Sequence, residues 1–159
     1  MTKDRASYSG IKKYIDKEGG YSLWVPKDWR KIPMTNGHHG VIFTPHTDDF
    51  DTSFAAEKQT LPFKISMKDM QIARKGFEDG LASLPEVEIE SQDESFTKTL
   101  KIFDARVTFV EDGVRRKRWV RTAYWGEGQL TMIAQGATVE EFEYYEGMFY
   151  NTMMTIELH

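Results

Sequence analysis

Not one cysteine occurs in the 159 residues. Disulfides, thiolate nucleophiles, cysteine-ligated zinc and a lipid-modified amino-terminal cysteine are therefore all excluded for this chain. Long apolar runs are missing too: nothing approaches the roughly 20 residues of a membrane span, and no span is expected. The start, MTKDRASYSGIKKY, has neither an apolar signal core nor a small-residue cleavage site, so a cytoplasmic protein is expected. There is no GxSxG elbow, P-loop or HExxH, and Gly126-Glu127-Gly128 lacks the third glycine of a dinucleotide loop. The expectation is a protein that is not an enzyme and carries no cofactor. Nor does one charge sign dominate. With 21 basic and 25 acidic side chains the net charge is −4, which gives no overall pull toward nucleic acid or an anionic membrane.

What the chain does have is the material of a packed domain. Apolar residues make up 40% and aromatics 13%, enough to bury a sizeable core without metal or disulfide support. No repeat or linker divides residues 1–159, so a single domain is expected, with residues 1–13 read as a flexible extension. Tyr21, Leu23 and Val25 alternate ahead of Pro26 and predict a first strand. Val41 to Thr44 and Thr52 to Thr60 predict a hairpin with a longish loop. Ser66-Met67-Lys68-Asp69 has capping-box spacing, and Met70, Ala73, Phe77, Leu81 and Leu84 then recur at helical spacing up to Pro85. Gly76 and Gly80 sit on the inward side of that helix and suggest close packing against a sheet.

Four more strands follow, at Val87 to Phe96, Leu100 to Val110, Val114 to Trp125 and Gln129 to Gln135, separated by turns such as Asp112-Gly113. Thr138-Val139-Glu140-Glu141 is a capping box that opens a final helix, with Val139, Phe142, Tyr145, Phe149, Met153 and Ile156 on one stripe. The order is β-β-β-α-β-β-β-β-α. It describes an α/β (α+β) domain, an antiparallel sheet of six to seven strands with helices packed on it. A two-residue turn at Asp112-Gly113 sets Glu111 against Val114, which places Asp104 opposite Arg121 and Arg106 opposite Trp119.

The opening of the first strand, Tyr21-Ser22-Leu23-Trp24-Val25-Pro26-Lys27-Asp28-Trp29, resembles the start of PsbP-like domains. That group shares its fold with the Mog-type Ran-binding proteins and the DcrB-type bacterial domains. The element order and the closing Met153-Met154-Thr155-Ile156 are similar as well. The resemblance implies a PsbP-like fold over nearly the whole chain. The group spans photosystem subunits, GTPase-binding factors, lipoproteins and secretion chaperones, so it implies no single function and transfers no site residue.

Four constellations invite a functional reading. NGHHGVIFTPHTDDFD, residues 36–51, gathers three of the four histidines with three aspartates. If the run between His39 and His46 is extended, the two imidazoles start roughly 23 Å apart at about 3.3 Å per residue, and one ion cannot hold both. His46, Asp48, Asp49 and Asp51 lack calcium-loop spacing. The stretch reads as a solvated hairpin loop, and no metal is expected. Arg115-Arg116-Lys117-Arg118-Trp119-Val120-Arg121, followed by Tyr124-Trp125, interleaves cations with aromatics as a nucleic-acid surface does. The neighbouring Glu86, Glu88, Glu90, Asp93 and Glu94 oppose that field, and nucleic acid is not expected. Those acidic residues in turn read as a solvated sheet face, because nothing pairs them with a histidine or a pocket.

The remaining candidate is aromatic. Trp24 alternates away from its apolar neighbours, while Trp119 and Trp125 share the face of Lys117 and Arg121 with half-buried indoles at the edge of a helix. Tryptophan with arginine is the composition of an interface anchor. The candidate binding residues are accordingly Trp24, Arg118, Trp119, Arg121, Tyr124 and Trp125. Two functions remain open. One is a non-catalytic protein-binding or assembly module with a protein partner. The other is a carrier whose pocket for a small apolar ligand, lined by Met148, Phe149 and Met153, lies between the sheet and the carboxy-terminal helix.

Overall fold

The computed structural model describes residues 10–46 and 49–159. Ten strands and two helices run in the order β1 (Ile11–Asp16), β2 (Tyr21–Pro26), β3 (Arg30–Pro33), β4 (His39–Thr44), β5 (Ser53–Thr60), α1 (Met70–Ala82), β6 (Glu88–Phe96), β7 (Lys101–Glu111), β8 (Val114–Trp125), β9 (Gly128–Gly136), α2 (Val139–Met154) and β10 (Glu157–Leu158). The fold is α+β. Seven strands form one antiparallel sheet in the order β3-β4-β5-β9-β8-β7-β6, and β1-β2-β10 form a second of three.

The nine predicted elements are all present, as β2, β4, β5, α1, β6, β7, β8, β9 and α2. The flexible reading of residues 11–13 is corrected, because they belong to β1, which pairs along the whole of β2 from Ile11 opposite Pro26 to Asp16 opposite Tyr21. Also unexpected are β3 and β10. All three are short or poor in alternating apolar residues, so they draw their definition from the strand beside them. The β7–β8 register is the predicted one: Glu111 faces Val114, Asp104 faces Arg121 and Arg106 faces Trp119. Asp112 and Gly113 both take positive φ, at 53° and 76°, as a two-residue hairpin turn of this hand requires.

The two faces of the large sheet are covered unequally. On one, α2 and the small sheet enclose a core that includes Tyr21, Leu23, Phe43, Phe54, Trp119, Met132, Phe142, Tyr145, Phe149 and Met153. Helix α2 starts where the sequence placed it, with Thr138 accepting a hydrogen bond from the Glu141 amide at 3.0 Å. Gly136 makes its approach to the sheet possible, since a Cβ there would sit 2.3 Å from the Phe142 nitrogen. On the opposite face, among the described residues, lie α1 and the segment before it, from which Leu61 and Ile65 pack with Phe103 and Tyr124. Helix α1 packs over β7 through Phe77 against Phe103 and Leu81 against Ala105 and Val107. The adjoining surface of β8 and β9 is covered only in part among the described residues: Thr122 and Tyr124 are buried, whereas Val120, Gln129 and Ile133 are half-buried.

Candidate functional site

The alternation of a strand divides the basic and aromatic run of β8 between these two faces. Lys117, Trp119, Arg121 and Trp125 point to the α2 side; Arg116, Arg118, Val120, Thr122 and Tyr124 point to the α1 side. The six candidate residues therefore form no common surface. Trp119, expected half-buried at a helix edge, is 2% exposed. Its indole lies between the Arg106 guanidinium, 4.3 Å from the ring centroid, and Tyr150, stacked at 6.3 Å. The Asp104 carboxylate accepts from Trp119 Nε1 and from Arg121 Nε, each at 2.8 Å. The cation–π contact read from the register is thus present, inside the fold rather than on its surface. Trp125 borders the sheet end, with Lys58 Nζ 5.2 Å from its ring. Trp24 lies on β2, half-buried, its amide donating to Thr155 Oγ1 at 3.2 Å.

Carboxylates neutralise most of the run's charge. Arg115 reaches Glu88 at 3.9 Å and Lys117 reaches Glu90 at 2.9 Å. Arg116 has Asp51 at 3.3 Å, Glu111 at 3.6 Å and Asp112 at 3.8 Å, and Arg121 has Asp104. The acidic strand read as a solvated face is in part the counterion of the basic one. Arg118 differs. Among the described residues its hydrogen bonds go only to the Gln135 carboxamide, which accepts from Nε at 2.9 Å and also from Nη2. The guanidinium lies 4.7 Å from the Phe109 ring centroid, and its burial pulls the pKa below the ordinary arginine value.

Arg118 stands at one end of a cleft of about 490 Å³ between α1 and the sheet. Ile72, Ala73, Gly76 and Phe77 form the helix wall, with Leu84 just beyond its end; Val120, Thr122, Tyr124 and Ile133 form the floor. Gly76 and Gly80 give no close packing, contrary to the reading of their spacing: a Cβ at either position meets no atom within 4 Å. They widen the cleft instead. Ile72 on its rim is 78% exposed. At the other end a smaller hollow of about 170 Å³, with Leu61 and Phe63, shares Ile72, Ala73, Tyr124 and Gln129 with the first. Burial raises the pKa of the Tyr124 phenol, which keeps it protonated. Among the described residues no histidine, carboxylate or lysine lines the larger of these two hollows.

The expected pocket lies elsewhere than predicted. Met148, Phe149 and Met153 are buried at 2% or less and belong to the α2 core, which leaves no pocket lined by them among the described residues; the apolar cleft lies under α1. The three histidines of the stretch from residue 36 to 51 are each paired with a carboxylate rather than left to solvent. His38 Nδ1 lies 2.6 Å from Glu57 and His39 Nε2 2.6 Å from Asp16, so the adjacent rings diverge to different strands. His46 is buried and lies 2.6 Å from Glu141 in the first turn of α2. Asp49 does cap a turn, accepting from the Asp51 amide at 3.1 Å; Asp48 lies outside the described residues. Among the described residues no three of these side chains gather where an ion would fit. The partners Asp16 and Glu141 are distant in the chain, and no local pattern announces them.

No family model matches the chain, and no curated protein matches it. Solved structures do. The solution structure of cyanobacterial PsbP (CyanoP) from Synechocystis sp. PCC 6803 superposes with a TM-score of 0.65 at 14% identity, covering 100% of this chain and 98% of that one. LpqN, involved in cell envelope biogenesis of Mycobacterium tuberculosis, gives 0.64 at 18% identity over 94% of this chain and 92% of its own. The Ran-binding protein Mog1p of Saccharomyces cerevisiae gives 0.55 at 9% identity, with 94% and 95% covered. At these identities the likeness shows the fold alone. The chain has the PsbP-like, Mog-type fold that its first strand and element order resemble.

Proposed function

We propose that this PsbP-like chain is a non-catalytic binding or assembly module that receives an apolar segment of a protein partner in the cleft between α1 and the β8–β9 surface. The observation that carries this reading is the unequal covering of the sheet. The α2 face is a closed core, whereas the α1 face keeps an apolar cleft with an isoleucine on its rim. Among the described residues its lining has aliphatic and aromatic side chains with a few polar groups, the composition of a binding cleft. A fold shared with a Ran-binding protein is in keeping with this reading.

The test is recovery of partners from the native host by tagged wild-type chain, Ile72→Glu and Gly76→Leu. A partner retained by wild type and lost by both variants, with melting temperatures unchanged or higher, supports the reading. Undiminished recovery opposes it. The cleft's volume also suits a small ligand, which favours the carrier reading at this relocated site. Native mass spectrometry of chain purified from the host distinguishes the two, because a carrier retains a small molecule without a protein partner.

A further inference from the structure

Arg118 specifies more about the occupant than the apolar walls do. Four of the five basic residues between Arg115 and Arg121 have a carboxylate within 4.0 Å, and Arg118, the one pointing into the cleft, has none among the described residues. The carboxylate whose field reaches it, Glu111, is itself paired with Arg116. Gln135 is held in place by its Nε2, which donates to the Asp51 carbonyl at 2.9 Å and so turns Oε1 toward Arg118. That amide oxygen aligns the guanidinium through Nε and Nη2 without neutralising it, and Nη1 makes no hydrogen bond among the described residues. A partly desolvated, aligned and uncompensated guanidinium beside an apolar cleft is a receptor for an anion attached to an apolar body.

The cleft's length limits the size of that body. Arg118 and Tyr124 mark its ends on β8, six residues apart, which is about 20 Å at roughly 3.3 Å per residue. An extended segment of about six residues spans it.

We propose that the occupant is an acidic apolar peptide segment of the partner, with a carboxylate on Arg118 and apolar side chains against Ile72, Phe77, Val120 and Ile133. This rests on the cleft reading given above. The carboxylate comes from a chain terminus or from an aspartate or glutamate, and two libraries separate these sources. The full-length chain is panned against displayed random hexapeptides that end in a free carboxylate, and against the same hexapeptides placed internally. Enriched peptides are then synthesised with their carboxylate intact and as the amide or glutamine equivalent.

The expected result is enrichment of apolar residues next to one carboxylate, from either library. Wild type should bind the acid at least about tenfold more tightly than its neutral equivalent. Arg118→Met should abolish that preference, Arg118→Lys should restore part of it, and both should melt near wild type. Gly76→Leu, which fills the cleft and leaves Arg118 in place, should abolish binding of acid and neutral forms alike. Apolar peptides bound equally with or without the carboxylate, yet lost in Gly76→Leu, overturn the anion assignment and leave the cleft reading standing. Peptides indifferent to Gly76→Leu, or no enrichment at all, overturn both. A wild-type dimer that Gly76→Leu dissociates makes a second copy of this chain the occupant and overturns the acidic-peptide assignment.

Discussion

Replacing Gly76 and Gly80 by alanine should stabilise the protein, and the reasoning behind the cleft depends on that sign. Both glycines are in the interior of α1, neither has positive φ, and a Cβ at either position meets nothing within 4 Å. An unhindered glycine in a helix interior costs about 0.8 to 1.0 kcal/mol relative to alanine, so the double variant should gain about 2 kcal/mol if the effects add. For a chain of this length each kcal/mol moves the melting temperature by about 2 to 4 °C, giving a rise of roughly 4 to 8 °C. Urea unfolding should show a higher midpoint at unchanged slope, since the surface exposed on unfolding is nearly the same. Gly136→Ala supplies the opposite control. Its Cβ would lie 2.3 Å from the Phe142 nitrogen and 2.6 Å from the Phe142 Cα, so it should destabilise strongly or prevent folding. A lower midpoint for Gly76→Ala and Gly80→Ala would show that the glycines serve close packing and would remove the argument that they hold the cleft open.

Trp119→Ala should cost about 3 to 5 kcal/mol in chemical denaturation, because it empties a buried site between Arg106 and Tyr150, and Trp119→Phe should cost less. His46→Ala leaves the buried Glu141 carboxylate without its imidazole and should cost about 1 to 3 kcal/mol by the same measurement. Arg74 hydrogen-bonds Glu94 and holds that carboxyl below its usual pKa, so the pair's contribution is present above the ordinary glutamate range and is lost as pH falls through the lowered value. Arg74→Ala should return the Glu94 titration, followed by NMR, to the ordinary range with little change in stability at neutral pH, since the pair is largely exposed.

The elements legible in the sequence were those whose physics is local. Capping at Thr138, the stripe from Val139 to Ile156, the paired positive φ at Asp112-Gly113 and the alternation of β8 are set within a few residues, and once the turn is known the register follows by counting. The contact of Asp104 with Arg121 and of Arg106 with Trp119 could be read for that reason. Strands β1, β3 and β10 lacked such signals and exist because β2 and β4 offer unpaired backbone beside them.

For the site the division is sharper. Period-2 alternation already places Trp119 and Trp125 on the face of Lys117 and Arg121, and by the same count it sets Arg118 and Tyr124 on the other. What the sequence by itself determined was the inventory and its sides: seven strands, six of which lie in the large sheet, with the register of its β7–β8 hairpin, two amphipathic helices, and a cation-rich strand carrying arginines on both faces. Only the tertiary structure decided which side α2 seals and which α1 leaves open. It also assigned carboxylates to Arg115, Arg116, Lys117 and Arg121 while giving Arg118 an amide. Burial and charge pairing depend on elements far apart in the chain that meet only when the layers close, so no local pattern encodes them.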